Sequence, residues 1–156
     1  MTKLKKKVSI IGLGFVGLPT FLIMSNLKKN NKFLYNVSGI EKNNDCGKSI
    51  KKRFERKINW INTSDKQFNT FFKNSSNRKD ISITTDTTSI KSSDIILVSI
   101  GFEARKRKSR FNFLKLCETI SKNIKKNALI IYESTLPPGT CNNLILPIFK
   151  KNLERR

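Results

Sequence analysis

The chain has 156 residues, with 32 Lys or Arg against 11 Asp or Glu and a formal net charge of +21. It contains no histidine, which excludes histidine-based acid–base catalysis and histidine metal ligands within this sequence. Its three cysteines, Cys46, Cys117 and Cys141, are far apart and odd in number, so we expect a reducing compartment and neither a disulfide framework nor a metal site. The length predicts one domain, residues 1–156, with a core of its own.

The large positive charge has two interpretations. A basic surface attracts nucleic acid or an anionic membrane. Lysine, asparagine and isoleucine are, however, abundant throughout the sequence, as a compositional bias of the coding sequence produces without any polyanionic partner. We favour the second interpretation and predict no specific nucleic-acid partner.

An uncharged run from Val8 to Met24 follows a basic start, which is also how a secretory signal peptide begins. No small-residue cleavage site follows the run, and its 17 residues include three glycines and a proline, which do not suit a short membrane-spanning helix. The apolar residues Val8, Ile10 and Ile11 instead predict a buried parallel strand. We therefore expect a cytoplasmic protein with no membrane partner.

A glycine pattern follows this strand: Gly12-x-Gly14-x-x-Gly17, with Leu13, Phe15 and Val16 between the glycines. In a strand–turn–helix unit the first glycine permits a tight turn, the second lets a pyrophosphate approach the backbone, and the third lets helix and strand pack closely. The N–H groups at the start of the helix face the anion. All six residues of this turn are therefore predicted to bind the pyrophosphate of a dinucleotide.

An acidic residue after a second strand strengthens this prediction. The stretch Tyr35–Ile40 is typical of a strand, and Glu41 follows it, 24 residues after Gly17. A carboxylate at this point accepts hydrogen bonds from ribose hydroxyls and repels a 2′-phosphate. The sequence therefore predicts NAD, rather than NADP, as the cofactor.

The polar and basic region from residue 43 to residue 77 contains aromatic residues at helical spacing. Residues 47–57 predict a helix with Ile50, Phe54 and Ile58 on one face, and Ser64-Asp65 predicts the cap of a second helix. A basic stretch with interleaved aromatics also resembles a platform for single-stranded nucleic acid. The helical spacing favours a packed core.

Two strands are predicted next, at residues 81–84 and residues 95–98, joined by a helical turn at residues 85–93. Ligands of a doubly wound sheet bind outside the carboxyl ends of its strands, so Val98 and the residues after it are predicted at the cofactor edge: Ser99, Ile100 and Gly101. The loop at residues 103–110 carries six cationic or polar residues in the order RKRKSR. It is either a solvated charge run or a contact for a phosphate-bearing substrate.

The last third of the chain continues the alternation. Residues 112–126 predict an amphipathic helix, residues 128–132 a buried strand, and Thr140 the cap of a final helix that Pro147 must kink or restart. Strands that alternate with helices predict an α/β fold of Rossmann type, a doubly wound, mainly parallel sheet with helices on both faces.

Three motifs in order resemble one enzyme family: IIGLGFVGLP at residues 10–19, GIE at residues 39–41 and YESTLPPGT at residues 132–140. Together they are similar to the N-terminal domain of the UDP-glucose/GDP-mannose dehydrogenase family, and the resemblance extends from Val8 to the final helix. Members of this family oxidise the C6 hydroxyl of a nucleotide sugar to a carboxylate with two NAD in succession. The resemblance implies the same cofactor and a nucleotide-sugar substrate for the full-length enzyme.

The resemblance also implies roles for residues late in the chain. The segment from Val98 to Gly101 would line the cofactor, although Ile100-Gly101 stands where the family has Thr-Pro. Ser134 and Thr135 would lie near the nicotinamide. We expect Thr135 to be catalytic, because its hydroxyl can orient a water or the reacting alcohol.

The family's nucleophilic cysteine, assisting lysine, dimer contacts and most of its sugar-nucleotide site lie further along the chain than Arg156. We do not assign the nucleophile to Cys141, and we expect this chain alone to bind NAD without completing the oxidation. A homo-oligomer is expected only when that further region is present. Two alternatives remain: a domain of a β-hydroxyacid-type dehydrogenase, and a non-enzymatic basic protein that binds nucleotides or nucleic acid.

Overall fold

In the computed structural model of the protein, which describes residues 5–153, five parallel strands form one sheet and two short antiparallel strands form a hairpin. In chain order the strands are β1 (Lys6–Ile11), β2 (Lys28–Lys29), β3 (Lys32–Phe33), β4 (Tyr35–Ile40), β5 (Ser82–Thr84), β6 (Ile95–Val98) and β7 (Leu129–Tyr132).

The order of strands across the sheet is β5-β4-β1-β6-β7. The chain leaves β1 in one direction to form β4 and β5, and it returns to the other side of β1 to form β6 and β7. This reversal makes β1 the switch point, and the crevice for a ligand lies at the carboxyl ends of β1 and its two neighbours. The predicted Rossmann-type, doubly wound sheet is confirmed.

Within residues 5–153, five helices cover the sheet. They are α1 (Gly17–Asn26), α2 (Asp45–Glu55), α3 (Lys66–Ser76), α4 (Arg107–Asn123) and α5 (Leu146–Leu153), with a 3₁₀ turn at Thr87–Ser92 and a π-helical turn at Cys141–Ile145. Successive strand residues point to opposite faces. The sheet therefore has two cores.

One core packs α1, α2 and α3 against one face and is built around Val8, Ile10, Phe21, Phe54 and Phe72. The other core packs α4, α5 and the 3₁₀ turn against the opposite face and is built around Ile11, Ile96, Phe113, Ile120 and Phe149. Helices on both faces, as the sequence predicts, leave the strand ends as the open edge.

Helix α2 differs modestly from the prediction. It begins at Asp45, because the Asn44 side chain accepts a hydrogen bond from the Gly47 N–H over 2.9 Å and caps it. Ile58 lies beyond the helix and is 49% exposed, so its predicted place on the buried face is wrong. The predicted cap of α3 is confirmed, since the Asp65 carboxylate accepts hydrogen bonds from the N–H groups of Gln67 and Phe68 in the first turn of the helix.

The predicted loop at residues 103–110 is confirmed at residues 103–106 and wrong at residues 107–110. Residues 107–110 form the first turn of α4, which begins five residues before the predicted start and ends at Asn123 rather than residue 126. An ion pair between Lys106 and Glu103 and a hydrogen bond from the Glu103 N–H to Ser109 Oγ fold the chain back at this helix start. The helix ends where Ile124 takes an extended conformation, with ψ of 140°.

Strand β7 is not buried as predicted. It lies at the edge of the sheet and pairs with β6, and its alternate residues Leu129 and Ile131 are 55% and 40% exposed. The β2–β3 hairpin was not predicted. Its turn is formed by Asn30 and Asn31, both with positive φ, which is the conformation that a two-residue hairpin turn requires.

Two predictions concern the last helix. Thr140 does not cap it, because its hydroxyl donates to the Pro137 carbonyl over 2.7 Å instead. The expected interruption is confirmed: the π-helical turn ends just before Leu146, and α5 restarts there with Pro147 as its second residue, where a missing N–H is tolerated. None of the helices within residues 5–153 combines the length and the apolar composition that a membrane span requires.

Candidate functional site

The turn after β1 is too tight for any residue but glycine at two positions. The Gly12 N–H donates to the Ile40 carbonyl over 2.9 Å, and Gly12 has a φ of +89°. A Cβ on Gly12 would lie 2.7 Å from the Ser99 carbonyl oxygen, and a Cβ on Gly17 would lie 1.8 Å from the Gly12 carbonyl oxygen. Backbone therefore meets backbone here, which fixes the start of α1 directly above the end of β1.

The middle of the turn has an open face. A Cβ on Gly14 would meet no atom within 4 Å, and the neighbouring side chains of Phe15 and Val16 are 87% and 56% exposed. Leu13, in contrast, is fully buried and packs where Gly39 of β4 has no side chain. The turn thus has a buried anchor below and an unobstructed backbone surface above, next to the N–H groups that begin α1.

Glu41 closes one side of this turn. Its carboxylate accepts hydrogen bonds from the Leu13 N–H and, over 3.3 Å, from the Lys42 N–H. Its backbone N–H donates to the Thr84 carbonyl, which holds the residue at the end of β4. The predicted acidic residue therefore lies against the glycine turn. Backbone N–H donors fix the position of its carboxylate, which keeps further lone pairs for other donors.

Trp60 binds the backbone of Leu13 as well. Its indole N–H donates to the Leu13 carbonyl over 3.3 Å, and its ring packs edge-on against Phe72 of α3 at 5.6 Å between centroids. The sequence predicts Trp60 only as a residue between two helices. A single tryptophan in a polar stretch does not predict the hydrogen bond to Leu13, because that bond depends on how α2 and α3 pack next to the glycine turn.

The end of β6 forms the next part of the edge. The Ser99 N–H donates to the Ile11 carbonyl over 2.8 Å, which ties this residue to β1. A Cβ on Gly101 would meet no atom within 4 Å, and Ile100 and Gly101 border an open cavity of about 330 Å³. The other lining residues of this cavity come from the start of α4 and include Lys106, Lys108, Ser109, Asn112 and Phe113.

The end of β7 brings three more polar residues to this edge. The Ser134 hydroxyl donates to the Ile100 carbonyl over 2.6 Å, so it fixes the backbone of the neighbouring segment. Thr135 is exposed. Glu133, for which the sequence suggests no role, accepts a hydrogen bond from the Ser99 hydroxyl and lies 3.3 Å from the Thr20 hydroxyl of α1.

The structure therefore gathers the predicted residues along one edge, in two groups. The turn from Gly12 to Gly17 and Glu41 lie at the ends of β1 and β4, and the segments 98–101 and 133–135 lie at the ends of β6 and β7. A dinucleotide bound across the switch point spans two such groups. The open face at Gly14, where a Cβ would meet nothing, is the space that a pyrophosphate needs, and these residues fit NAD.

The three cysteines differ in burial. Cys117 is fully buried and lies 3.4 Å from the Tyr132 hydroxyl oxygen, and burial raises the pKa of its thiol. Burial also raises the pKa of the Tyr132 hydroxyl. Cys46 and Cys141 are exposed. Within residues 5–153, no three His, Cys, Asp or Glu side chains are grouped as metal ligands.

Comparison with known sequences gives a family match over nearly the whole chain. Residues 6–156 match the NAD binding domain of the UDP-glucose/GDP-mannose dehydrogenase family. Protein CapL of Staphylococcus aureus is 27% identical over 150 residues, which are 95% of this chain and 31% of that protein. UDP-glucose 6-dehydrogenase of Rickettsia prowazekii is 26% identical over 145 residues, 88% of this chain and 30% of that protein. The chain thus spans about a third of the length of these relatives.

Solved structures show the same fold. The NDP-N-acetyl-D-galactosaminuronic acid dehydrogenase of Methanosarcina mazei superposes with a TM-score of 0.80 at 18% identity, over 95% of this chain and 31% of that one. A GDP-mannose dehydrogenase from Pseudomonas aeruginosa superposes with a TM-score of 0.73 at 20% identity, over 93% of this chain and 32% of that one.

Proposed function

The chain belongs to the UDP-glucose/GDP-mannose dehydrogenase family as its NAD-binding domain, and from this premise we propose that it is the cofactor-binding part of an enzyme that oxidises the C6 hydroxyl of a UDP-sugar to a carboxylate. When bound, NAD supplies the hydride acceptor for such an oxidation. The observation that carries the proposal is the glycine turn, with its clashing contacts at Gly12 and Gly17 and its open face at Gly14.

In this proposal the six residues from Gly12 to Gly17 hold the pyrophosphate. Gly12 and Gly17 set the turn, Gly14 offers its bare backbone, and the first N–H groups of α1 face the anion. The buried Leu13 side chain anchors the turn from below, while the exposed Phe15 and Val16 flank its open face.

Glu41 is proposed to bind the adenosine ribose. Its carboxylate is held by the Leu13 and Lys42 N–H groups, which leaves other lone pairs for the two ribose hydroxyls. A negative charge fixed at this point opposes a 2′-phosphate, which supports a preference for NAD over NADP.

The nicotinamide end is proposed to lie over Val98, Ser99, Ile100 and Gly101, with Ser134 and Thr135 beside it. Ser134 supports this end indirectly, since its hydroxyl holds the Ile100 carbonyl. Thr135 is exposed on the same segment, so its hydroxyl is available to orient a water or the reacting alcohol, and we assign it the catalytic role.

Completion of the oxidation requires a nucleophile that we do not assign to any of the described residues. A route through a covalent thiohemiacetal needs a thiolate near the nicotinamide. The Cys117 thiol is buried and its pKa is raised, so it does not supply one. We therefore propose that residues 1–156 form the NAD-binding domain of a cytoplasmic enzyme whose nucleotide-sugar site, oligomer contacts and nucleophile come from further sequence.

A titration tests the proposal directly. Because the Trp60 indole N–H donates to the Leu13 carbonyl in the glycine turn, its fluorescence reports on ligands bound there. We expect a saturable change on addition of NADH and a weaker response to NADPH. Absence of a saturable signal up to millimolar NADH, with the far-ultraviolet circular dichroism of a folded protein, would contradict the proposed cofactor site.

A further inference from the structure

The carboxylate of Glu133 joins three elements at the open edge of the sheet. The hydroxyl of Ser99, just past the end of β6, donates to one carboxylate oxygen, and the hydroxyl of Thr20, in the first turns of α1, lies 3.3 Å from the other. The Glu133 N–H donates to the Val98 carbonyl over 2.9 Å. The backbone that carries this side chain and the oxygen bound to Ser99 are therefore held in place, while the Thr20 hydroxyl has the Val16 carbonyl, at 3.1 Å, as a second acceptor.

The contacts of this carboxylate leave its charge uncompensated. Both side-chain partners are neutral hydroxyls, and the ion pairs among residues 5–153 do not include Glu133. A hydroxyl donor orients a carboxylate but adds no positive charge. Because the residue is half-buried, salt screens its field less than the field of an exposed side chain.

The fold determines which part of a dinucleotide this charge faces. Each half of a doubly wound sheet takes one nucleotide, and Glu41, at the end of β4, lies in the half assigned to adenosine. Glu133 follows β7 and contacts the end of β6, so it lies in the other half, together with Ser134 and Thr135. That half takes the nicotinamide.

We propose that Glu133 is a positioning residue of the cofactor cleft, and that its fixed negative charge makes the site prefer the positively charged oxidised nicotinamide to the neutral reduced form. The inference rests on the proposed placement of NAD. For an opposite charge a few ångströms away in a partly buried site, Coulomb attraction corresponds to a preference on the order of tenfold.

Substitution Glu133→Gln tests the charge while keeping the size of the side chain and an oxygen acceptor for the two hydroxyls. The dissociation constant of NADH is measured from Trp60 fluorescence, and that of NAD⁺ by titration calorimetry. We expect the ratio of the NAD⁺ constant to the NADH constant to rise about tenfold in the variant, mainly through weaker binding of NAD⁺. Glu133→Asp, which keeps the charge on a shorter side chain, should leave the ratio close to that of the unsubstituted chain.

Two controls separate this role from a general one. Glu118→Gln removes the same charge from the exposed surface of α4 and should leave the ratio unchanged. Ser99→Ala removes one anchor and keeps the carboxylate, so the ratio should move in the same direction by a smaller factor. If Glu133→Gln lowers the unfolding midpoint too far for titration, Ser99→Ala and Glu133→Asp still provide the comparison.

The outcomes are distinct. Equal loss of affinity for NAD⁺ and NADH in Glu133→Gln would overturn the proposal, because it would assign Glu133 a role in the shape of the cleft alone. An unchanged ratio with unchanged affinities would overturn it as well. Failure of the unsubstituted chain to bind either form would instead contradict the placement of NAD on which the proposal rests.

Discussion

The two ends of the cofactor cleft are stabilised by different kinds of contact. At the end formed by β1 and β4, backbone packs against backbone, since a Cβ on Gly17 would lie 1.8 Å from the Gly12 carbonyl oxygen, and the Glu41 and Trp60 side chains bind the N–H and the carbonyl of Leu13. At the end formed by β6 and β7, side-chain hydroxyls and one carboxylate make the contacts, through Ser99 and Glu133.

This difference separates residues that the fold requires from residues that adjust the affinity for the cofactor. Gly12 and Gly17 leave no space for a side chain, so substitution at either position changes the structure. A side-chain contact can be exchanged for another of similar size, so substitution at the second end changes affinity or preference while the sheet stays intact. The predictions below test this separation.

The largest effect is expected for Gly17→Ala. Its new Cβ would overlap the Gly12 carbonyl oxygen, which neither residue can avoid without moving α1 away from β1. We expect a loss of unfolding free energy of about 3 kcal/mol or more, together with the loss of NADH binding. Urea unfolding followed by circular dichroism, with NADH titration of any folded fraction, measures both.

Gly14→Ala is the matched control for that substitution. Its Cβ would meet no protein atom within 4 Å, so the unfolding midpoint should not change. The same Cβ stands on the face assigned to the pyrophosphate, so NADH affinity should fall on the order of tenfold. A Gly14→Ala variant that binds NADH as well as the unsubstituted chain would show that the pyrophosphate lies elsewhere.

Glu41→Ala should affect both stability and binding. The variant leaves the N–H of the buried Leu13 without its acceptor, which costs about 1–3 kcal/mol of unfolding free energy. It also removes the acceptor assigned to the ribose, so NADH affinity should fall. Urea unfolding and NADH titration measure the two losses.

Glu41→Gln sharpens that test, because it keeps an oxygen for the Leu13 N–H and removes the charge. Its stability should stay closer to that of the unsubstituted chain, while the discrimination of NADPH relative to NADH should decrease. Unchanged discrimination would mean that Glu41 does not face the 2′ position.

Trp60→Phe should have a smaller effect at the same end. The variant keeps most of the ring packing against Phe72 and loses the hydrogen bond to the Leu13 carbonyl, which corresponds to about 1 kcal/mol of unfolding free energy. Calorimetric titration with NADH replaces fluorescence for this variant. A loss of stability above that of Glu41→Ala would contradict the ranking of the two contacts on Leu13.

The smallest effect is expected far from the cleft, at Asp80 before β5. The hydrogen bond from Arg78 is the main cause that lowers the pKa of the Asp80 carboxyl below its ordinary value of 3.8. A lowered folded-state pKa gives stability that is present above the unfolded-state value and is lost as pH falls through the folded-state value. Because the pair is partly exposed, Asp80→Asn should cost about 1 kcal/mol or less at neutral pH.

That prediction is measured as the thermal midpoint of the unsubstituted chain and of Asp80→Asn between neutral pH and about pH 3. The difference between them should be constant at neutral pH and shrink below about pH 4, as the unsubstituted carboxyl becomes protonated. A difference that grows on acidification would contradict the sign.

Local patterns predicted much of the first end from the sequence. The strand at Tyr35–Ile40 has the predicted bounds, and Asp65 caps α3, because a run of apolar residues and a capping carboxylate each act within a few residues of chain. The glycine turn and Glu41 were predicted together because their spacing is set by one strand–helix–strand unit. The fold class follows from the same alternation.

The second end could not be predicted in the same way. Glu133 meets Thr20 and Ser99 only after α1, β6 and β7 have packed, and neither spacing nor composition encodes that meeting. The predicted start of α4 is wrong because the apolar spacing that predicts the helix begins at Phe113, whereas the first turn of the helix is formed by the cationic residues before it. The edge position of β7 likewise depends on the order of strands, which its apolar sequence does not show.

The two hydrogen bonds to the Leu13 backbone have a consequence for the kinetics of cofactor association. Since Glu41 holds its N–H and Trp60 holds its carbonyl before any ligand arrives, this part of the turn is ordered when the chain folds. Association then involves little loss of conformational entropy in the backbone around Leu13. The chain also carries a net charge of +21. We expect an anionic dinucleotide to associate with it fast at low ionic strength and more slowly as salt screens the attraction.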